Sequence, residues 1–244
     1  MNVSIEVCVD TCNPVDSQIS AATDGGADTI EICEDLSVDG LTPAVSDIEK
    51  AILTRDTHNS DMKIMTMIRP RDGGFVYSQS EIKEMEKQIE LAAKAGADGV
   101  VFGLLLEETN EVDVASTQRL VGLAKNLGLI VTFHRAIDAT PDFSEALFSI
   151  IDSGANRVLA SCTKWGSGLI ATDGASELNR LIKQAGDDIQ VIAAGGVNPN
   201  NAKELADMLQ GEQPVFLHAY SGAQQDGVTT AESVRKLVQA ANLK

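Results

Sequence analysis

Short runs of β-branched and other apolar residues alternate along this chain with longer segments in which apolar residues recur at helical spacing. The short runs predict eight strands, at Ser4–Val9, Thr29–Ile32, Lys63–Ile68, Gly99–Phe102, Ile130–Phe133, Arg157–Ala160, Gln190–Ala194 and Val215–Ala219. The longer segments predict eight helices, at Val15–Thr23, Val45–Leu53, Ser80–Ala95, Val114–Leu127, Phe143–Ser153, Thr172–Ala185, Pro199–Leu209 and Thr230–Ala241. Strict alternation of this kind is typical of a (β/α)8 TIM barrel of the α/β class. A doubly wound sheet is the alternative, but eight regular units favour a closed barrel.

Glycine-containing turns separate several predicted helices from the strands that follow them. The segments "GGAD" at Gly25–Asp28, "AGAD" at Ala95–Asp98 and "SGAN" at Ser153–Asn156 each lie at such a junction. Glycine suits the left-handed residue that ends a helix, and Asp or Asn suits the turn into the next strand. At helix starts, Ser78–Glu81 has capping-box spacing, and Asn198–Pro199 predicts an N-cap followed by the first helical residue.

The length and charge of the chain limit the classes of protein to which it can belong. Its 244 residues are close to the usual size of one α/β barrel, so we expect a single domain over residues 1–244. With 36 acidic and 19 basic residues, the net charge is −17, which repels nucleic acid and anionic membranes and makes both unexpected partners. The sequence has neither a signal-peptide pattern nor an apolar run long enough to cross a bilayer. We therefore expect a cytoplasmic location, where thiols stay reduced.

The first two predicted strands share the pattern Ile-Glu-aliphatic-Cys-x-Asp, in "IEVCVD" and "IEICED". Side chains alternate between the faces of a strand, and the outer face of a barrel strand contacts apolar helices. We therefore expect the aliphatic residues to face outward. The side chains expected to face inward from adjacent strands are Glu6, Cys8, Glu31 and Cys33. Two carboxylates inside a barrel are unfavourable unless cations or hydrogen-bond donors pair with them.

Arginine and histidine residues are predicted at the C-terminal ends of three strands, where barrel enzymes have their active sites. They are Arg69 and Arg71 after the third strand, His134 and Arg135 at the end of the fifth, and His218 at the end of the eighth. One interpretation is a site for a small anion, in which guanidinium groups bind a carboxylate or phosphate. The other is that these cations only neutralise the carboxylates of Glu6, Glu31, Asp10 and Asp138.

Residues after the seventh and eighth strands extend the anion hypothesis. Gly195 and Gly196 allow a ligand to approach the backbone closely, although a Gly-Gly sequence also suits a plain tight turn. The substrate-binding candidates of such an enzyme are Arg69, Arg71, Arg135, Asp138, Gly195, Gly196 and Ser221. Its acid–base candidates are His134, which we prefer, His218, Glu6 and Glu31.

All four cysteines are predicted at the same end of the barrel. Cys8 and Cys33 end the first two strands, Cys12 lies in the first loop, and Cys162 follows the sixth strand. Thiolates are soft ligands that suit Cu(I) better than Mg²⁺ or Ca²⁺, and neither a C-x2-C nor an H-x3-H signature of a zinc site is present. Three interpretations stay open: Cu(I) binding, packing of small buried thiols, and a disulfide, which a reducing compartment disfavours.

Several short motifs together resemble those of the CutC copper-homeostasis family. They are "IEVCVD", "GGADTIEIC", "GLTP", "MIRPR", "GADGVVFG", "VTFHRAID", "GGVNP" and a final "HA", and they run from the first predicted strand to the eighth. The resemblance implies a TIM barrel, a cytoplasmic role in copper homeostasis, and a Cu(I) site at Cys8 and Cys33. It also implies a homodimer or a higher homo-oligomer.

The sequence departs from the family pattern at several positions. "DGGF" follows "MIRPR" where the family usually reads Gly-Gly-Asp-Phe, and "AAGG" replaces Pro-Gly-Gly-Gly. In "LASC", Cys162 occupies a position where glycine is common, and Cys12 is an additional thiol. These changes weaken the hypothesis that the glycine-rich loops bind a phosphate. They also add two thiols at the end of the barrel that a metal would use.

Overall fold

The structure is a computed structural model that describes residues 3–58, 60–209 and 214–243. The described residues form a closed barrel of eight parallel strands in sequence order. The strands are β1 (Ser4–Asp10), β2 (Thr29–Cys33), β3 (Lys63–Met67), β4 (Gly99–Phe102), β5 (Ile130–Phe133), β6 (Arg157–Ala160), β7 (Gln190–Ala194) and β8 (Phe216–Ala219). The helices are α1 (Val15–Gly25), α2 (Val45–Thr57), α3 (Gln79–Lys94), α4 (Val114–Asn126), α5 (Phe143–Asp152), α6 (Ala175–Ala185), α7 (Ala202–Met208) and α8 (Ala231–Ala241). The predicted (β/α)8 barrel is confirmed; residues 1–2, 59, 210–213 and 244 of the predicted domain lie outside the described residues.

The start of α7 differs from the sequence prediction. Asn198 is not its N-cap, because the helix begins at Ala202. The residues before it form a turn in which the Asn200 N–H donates to Asn198 Oδ1 at 2.9 Å and the Asn198 N–H donates to Asn201 Oδ1 at 2.8 Å. A short antiparallel hairpin, β9 (Gln224–Gln225) with β10 (Val228–Thr229), also follows β8 and was not expected from the pattern.

Three polar side chains tie the N-terminal ends of neighbouring strands together. Each belongs to one of the predicted helix-to-strand turns and accepts a hydrogen bond from a backbone N–H of the preceding strand. The bonds join Asp28 to Ile5 at 2.7 Å, Asp98 to Ile64 at 2.8 Å and Asn156 to Val131 at 2.9 Å. The glycines of these turns have positive φ angles, 89° at Gly26, 92° at Gly96 and 84° at Gly154. The conformation expected for glycine there is confirmed.

The two faces of the barrel strands carry different residues. The outward-facing side chains, such as Ile30, Ile64 and Val100, belong to the large apolar core that packs against the helices. Inside the barrel, a smaller apolar cluster of Cys8, Cys33, Met65, Met67 and Val101 occupies the side formed by β1 to β4. The remaining interior positions include buried Glu6, Glu31 and Arg157. The barrel interior is therefore partly ionic, and it leads toward the C-terminal ends of the strands.

Among the described residues, none of the helices combines the length and the apolar character that crossing a membrane requires.

Candidate functional site

A cavity of about 250 Å³ lies at the C-terminal ends of the strands. We call it the mouth cavity. The predicted site residues that line it are Cys8, Glu31, Arg69, His134, Arg135, Gly195, Gly196, His218 and Ser221. Several predicted side chains do not line it: Glu6, Cys33 and Asp138 are buried, and Arg71 is partly exposed elsewhere. The structure thus brings together most, but not all, of the residues that the sequence singled out.

Glu6 is the centre of a buried ionic network inside the barrel. Its Oε2 accepts a hydrogen bond of 2.6 Å from Arg157 Nη2, and its Oε1 lies 2.9 Å from His218 Nδ1. The same His218 nitrogen lies 3.5 Å from Glu31 Oε2. Arg157 also donates to Gln190 at 3.1 Å, which fixes the guanidinium from the opposite side. Two carboxylates are therefore held beside two potential cations in the buried interior of the barrel.

The pKa values of these groups follow from that arrangement. Burial alone would raise the pKa of Glu6, but Arg157 and His218 outweigh it and lower the pKa to about 2. Burial dominates at Glu31 and raises its pKa, with a smaller contribution from the charge of Glu6. Burial opposes the charged form of His218, yet hydrogen bonds with Cys8 and Glu6 and the nearby carboxylates raise its pKa well above the usual range. Glu6 is therefore ionised and His218 is protonated at neutral pH.

Cys8 and Cys33 lie beneath the mouth cavity with their sulfur atoms 3.7 Å apart. Cys33 Sγ is also 3.5 Å from Glu31 Oε1, so two thiols and one carboxylate converge within reach of a single ion. Burial and the neighbouring Cys8 raise the pKa of Cys33 well above its usual range. A second group of possible ligands, Glu6, Glu31 and His218, shares Glu31 with the first.

The other two cysteines do not belong to either group of possible ligands within the described residues. Cys12 is exposed, and its hydrogen bond with Asp10 raises the pKa of the thiol. Cys162 is buried with a positive φ of 53°, in the region where glycine is the usual residue. The position therefore favours glycine for conformational reasons, and Cys162 does not extend the thiol cluster.

His134 is buried against the Phe75 ring, with the two ring centroids 5.0 Å apart. Burial lowers the pKa of His134 to about 3, and the positive charges of Arg69 and Arg135 contribute. Its Nδ1 accepts the Ala136 N–H at 3.2 Å, so the neutral ring carries its proton on Nε2. The expectation that His134 adds to the positive charge at the mouth is therefore wrong, because the imidazole is neutral there.

Gly103 explains why the His134 ring fits in this position. A Cβ atom at Gly103 would lie 2.5 Å from His134 Nδ1 and 3.0 Å from the Ala136 Cβ. The glycine at the end of β4 therefore leaves the space that the imidazole occupies.

Arg69 lines the mouth cavity, but most of its guanidinium is already bonded to backbone carbonyls. Its Nη1 donates to Val38 at 2.6 Å and to Gly40 at 3.0 Å, and its Nη2 donates to Gly73 at 2.6 Å. Only Nε lacks a hydrogen-bond partner among the described residues. Arg69 thus holds two loops against the barrel and has little capacity left for a ligand.

Arg71 lies outside the mouth cavity, which contradicts its predicted role beside Arg69. Its Nε pairs with Glu81 at the start of α3, and its other nitrogens donate to backbone carbonyls such as that of Gly74. Arg69 continues the inward-facing series of Met65 and Met67, but the chain bends at residues 70–73, so the strand alternation ends before Arg71. Strand alternation alone would have placed Arg71 on the same face as Arg69, so it could not have excluded Arg71.

Asp138 supports Arg135 from beneath the cavity and does not line it. Its carboxylate accepts bonds from Arg135 Nε at 2.8 Å, from the Ser161 hydroxyl at 2.8 Å, and from the Cys162 N–H at 3.0 Å. Burial raises the pKa of Asp138, and the Arg135 charge opposes that shift. The predicted direct role of Asp138 in ligand binding is therefore replaced by a positioning role.

Among the described residues, no cation pairs with Asp10, contrary to one of the two interpretations of the Arg and His residues. Its carboxylate accepts the backbone N–H groups of Cys12 and Leu36, both at 2.9 Å. The residue therefore joins the loop after β1 to the loop after β2, where backbone amides satisfy its charge.

The loops after β7 and β8 complete the rim. Gly195 and Gly196 have φ angles of 104° and 69°, so the predicted tight turn is present. A Cβ atom at Gly195 would lie 3.5 Å from the Arg135 Cζ, so this glycine allows the guanidinium to lie close to the backbone. Ser221 lines the cavity from the β8 side and is exposed.

Sequence reasoning missed two residues of this centre. Arg157 shares the inward face of β6 with Leu159, so strand alternation could have identified it as the partner of Glu6. Trp165, the single tryptophan of the chain, stacks on Arg135 with 5.2 Å between the guanidinium carbon and the ring centroid. No periodic pattern marks Trp165, because it lies in an irregular loop.

The fold and the site define the class of protein. It is a (β/α)8 barrel with a partly ionic interior, a buried pair of thiols and a cavity at the C-terminal ends of its strands. The sequence model of the CutC family matches residues 3–219, which span the whole barrel from β1 to β8. The chain belongs to the CutC family.

Curated relatives support the same assignment. The family protein CutC of Vibrio atlanticus (strain LGP32) is 37% identical over 210 residues, which cover 86% of this chain and 79% of the relative. The family protein CutC of Histophilus somni (strain 2336) is 40% identical over 203 residues, covering 83% and 77%. A crystal structure of CutC from Streptococcus agalactiae, whose name proposes a role in copper homeostasis, matches with a TM-score of 0.75. At 24% identity over 88% of this chain and 97% of that one, it supports the fold alone.

We predict that Arg157→Met lowers the free energy of unfolding by about 3–5 kcal/mol, because it removes the guanidinium from the buried Glu6 carboxylate and leaves His218 as the remaining cation beside it. Adding Glu6→Gln to this variant should restore most of the loss. Chemical denaturation at neutral pH measures both effects. The control is Arg119→Met, which removes an exposed pair with Glu86 and should change stability far less. Similar losses in the two single variants would contradict the proposed importance of the buried contact.

We predict that His134 makes the protein less stable as the pH falls below about 6.5. The folded state keeps His134 neutral down to a pKa of about 3, whereas the unfolded chain takes up the proton near pH 6.5. Stability from this residue is therefore present above pH 6.5 and is lost toward pH 3, at up to about 1.4 kcal/mol per pH unit. Denaturation curves of the wild type and His134→Gln between pH 7 and 4.5 test this. Parallel pH profiles would mean that His134 is not held neutral.

Proposed function

We propose that this chain binds Cu(I) through the thiolates of Cys8 and Cys33. The observation that carries the proposal is the 3.7 Å separation of two buried sulfur atoms at the floor of the mouth cavity. Soft thiolate ligands select Cu(I) over hard cations. The name of the Streptococcus agalactiae CutC points to copper homeostasis for that protein, and the same role would use such a site here.

The position of the two cysteines favours a metal over a disulfide. Cys8 is opposite Glu31 in the β1–β2 ladder, so Cys33 is two residues further along the neighbouring strand. Strand geometry then separates the two Cα atoms by about 8 Å, beyond the 7 Å or so that a disulfide tolerates. An ion between the sulfur atoms requires no such approach of the backbones.

The charges around the two cysteines determine how easily the thiols lose their protons when Cu(I) binds. Binding must remove the thiol protons, and burial opposes ionisation of Cys33. Protonated His218 lies beside Cys8 and supplies positive charge that offsets the thiolates. Glu31 provides a third ligand, a carboxylate oxygen that lies 3.5 Å from Cys33 Sγ. The group of two sulfurs and one carboxylate suits a low-coordinate soft ion better than a closed tetrahedral one.

We predict that the wild type takes up one Cu(I) per chain and that Cys8→Ser/Cys33→Ser loses this uptake while its fold is unchanged. The loss follows because serine hydroxyls are poor ligands for a soft ion. Competition with a chromogenic Cu(I) chelator under reducing conditions measures the stoichiometry. The matched control is Cys12→Ser, since Cys12 is exposed and outside the cluster. Equal uptake by the double variant and the control would rule out this site.

A second function is favoured by a different observation, the set of side chains around the mouth cavity. Arg135 has a 29% exposed side chain on the rim, while Glu31 and His218 line the same cavity deeper down. An arginine at the entrance and a neighbouring carboxyl and imidazole whose pKa values are both raised are typical of enzymes that act on small anions. The second proposal is therefore proton-transfer chemistry on a small anionic substrate, with Arg135 binding the anion.

In this second function the acid–base role passes from His134 to His218 and Glu31. His134 is neutral and its Nε2–H can only donate a hydrogen bond near neutral pH. Protonated His218 can donate a proton to a bound substrate. Glu31 lies beside it and, because its pKa is raised, can take up and release a proton there. Glu6 is already ionised and fixed by Arg157, so it orients His218 and does not itself react.

We predict that mass spectrometry of the untreated protein detects a small anionic molecule that is lost from Arg135→Met. Removing the guanidinium deletes the charge-assisted hydrogen bonds that hold the anion. Arg71→Met is the control, because Arg71 lies outside the cavity and pairs with Glu81. Retention of the same molecule by Arg135→Met, or its loss from both variants, would exclude Arg135 as the anion-binding residue.

A further inference from the structure

A second cavity of about 260 Å³ adjoins the mouth cavity on the side of the loop between β6 and α6. We call it the outer cavity. The two cavities share five lining residues, namely Asp39, Arg135, Trp165, Gly195 and Gly196. We propose that they form one elongated site for a small phosphorylated polyol or hydroxy acid, with the phosphate in the outer cavity. This inference rests on the second function proposed above and names its substrate class.

Two cations in the outer cavity have unused hydrogen-bonding capacity. Arg135 donates through Nε to Asp138 and through Nη2 to Ser161, which leaves Nη1 without a partner among the residues that the structure describes. Lys164 lines the outer cavity but not the mouth cavity. It is exposed and forms no salt bridge within the described ranges. A planar guanidinium and a mobile ammonium can contact a phosphate from two directions. Trp165 stacks on Arg135 and keeps the guanidinium in place.

The backbone around the outer cavity is open to a ligand. Gly166 and Gly168 have φ angles of 75° and 78°, and a Cβ atom at either would meet nothing within 4 Å. Gly195 and Gly196 also line the cavity, but a Cβ atom at Gly196 would lie 2.4 Å from Ile170 and one at Gly195 would lie 3.2 Å from Ser161, so these two glycines make room for protein neighbours. Open glycines such as Gly166 and Gly168 let phosphate oxygens approach main-chain N–H groups. Asp39 is the acidic residue that lines the cavity, so the two cations are only partly neutralised.

Unpartnered polar atoms at the other end of the site explain why the ligand also carries hydroxyl groups. His134 Nε2 is buried without a hydrogen-bond partner among the described residues, and Glu31 Oε2 has only its 3.5 Å contact with His218 Nδ1; both side chains line the mouth cavity. Buried polar groups without partners are costly. A hydroxyl group of a polyol can donate to Glu31 and accept from the neutral His134, which satisfies both at once. Inorganic phosphate alone would leave them unsatisfied.

Trp165 makes the inference directly measurable. It is the single tryptophan of the chain and lines both cavities, so its fluorescence reports binding to either. We expect glycerol 3-phosphate to bind about tenfold more tightly than inorganic phosphate, because it adds the hydroxyl contacts. Lys164→Gln should weaken both ligands by about tenfold, whereas Glu31→Gln should weaken only glycerol 3-phosphate. Lys203→Gln, a change at an exposed lysine of α7 that pairs with Asp207, should leave both affinities unchanged.

Each alternative outcome has a defined meaning. Glycerate binding as tightly as glycerol 3-phosphate would overturn the assignment of a phosphate group. An unchanged affinity in Lys164→Gln, or the absence of binding by all three probes, would overturn the elongated site. None of these three results would affect the second proposed function, which fails only if the co-purified anion does not depend on Arg135. Calorimetric titrations of the same variants check that the fluorescence changes report binding.

Discussion

The contact between Glu6 and Arg157 is the constraint on which the interior of this barrel depends. A carboxylate at this depth is tolerated only because a guanidinium 2.6 Å away and an imidazolium 2.9 Å away share its charge. That arrangement fixes the orientation of His218, and His218 in turn lies against Glu31 and Cys8. The chemistry available at the mouth cavity therefore follows from a charged pair that does not itself line the cavity.

The two proposed functions draw on the same limited positive charge. Thiolates at Cys8 and Cys33 would add negative charge below the cavity, and an anionic ligand would add it above. His218 is the cation between these two positions, so filling both at once would be electrostatically unfavourable. Arg135 and Lys164 lie further out and serve the anion alone. The family assignment is compatible with either function, and the geometry separates them by depth in the barrel.

Much of the fold and part of the site could be predicted from the sequence. The eight strands were found because apolar runs and glycine turns are local signals, and strand alternation correctly turned Glu6 and Glu31 inward. The charge state of His134 could not be predicted, since it depends on burial by Phe75 and on residues distant in sequence. Arg71 was misjudged because its proximity to Arg69 in sequence was taken as proximity in space. The outer cavity lies in an irregular loop, for which no periodic signal exists.

The side-chain bonds at the opposite end of the barrel have a consequence for how this architecture can vary. The side-chain hydrogen bonds of Asp28, Asp98 and Asn156 join the start of one strand to the start of the strand before it. These latches hold β1 to β2, β3 to β4 and β5 to β6 as three strand pairs. These latches lie far from the rim, where the loops differ in length and composition. Insertions or exchanges in a rim loop therefore need not loosen the strands beneath it, and new specificities can arise while the frame stays closed.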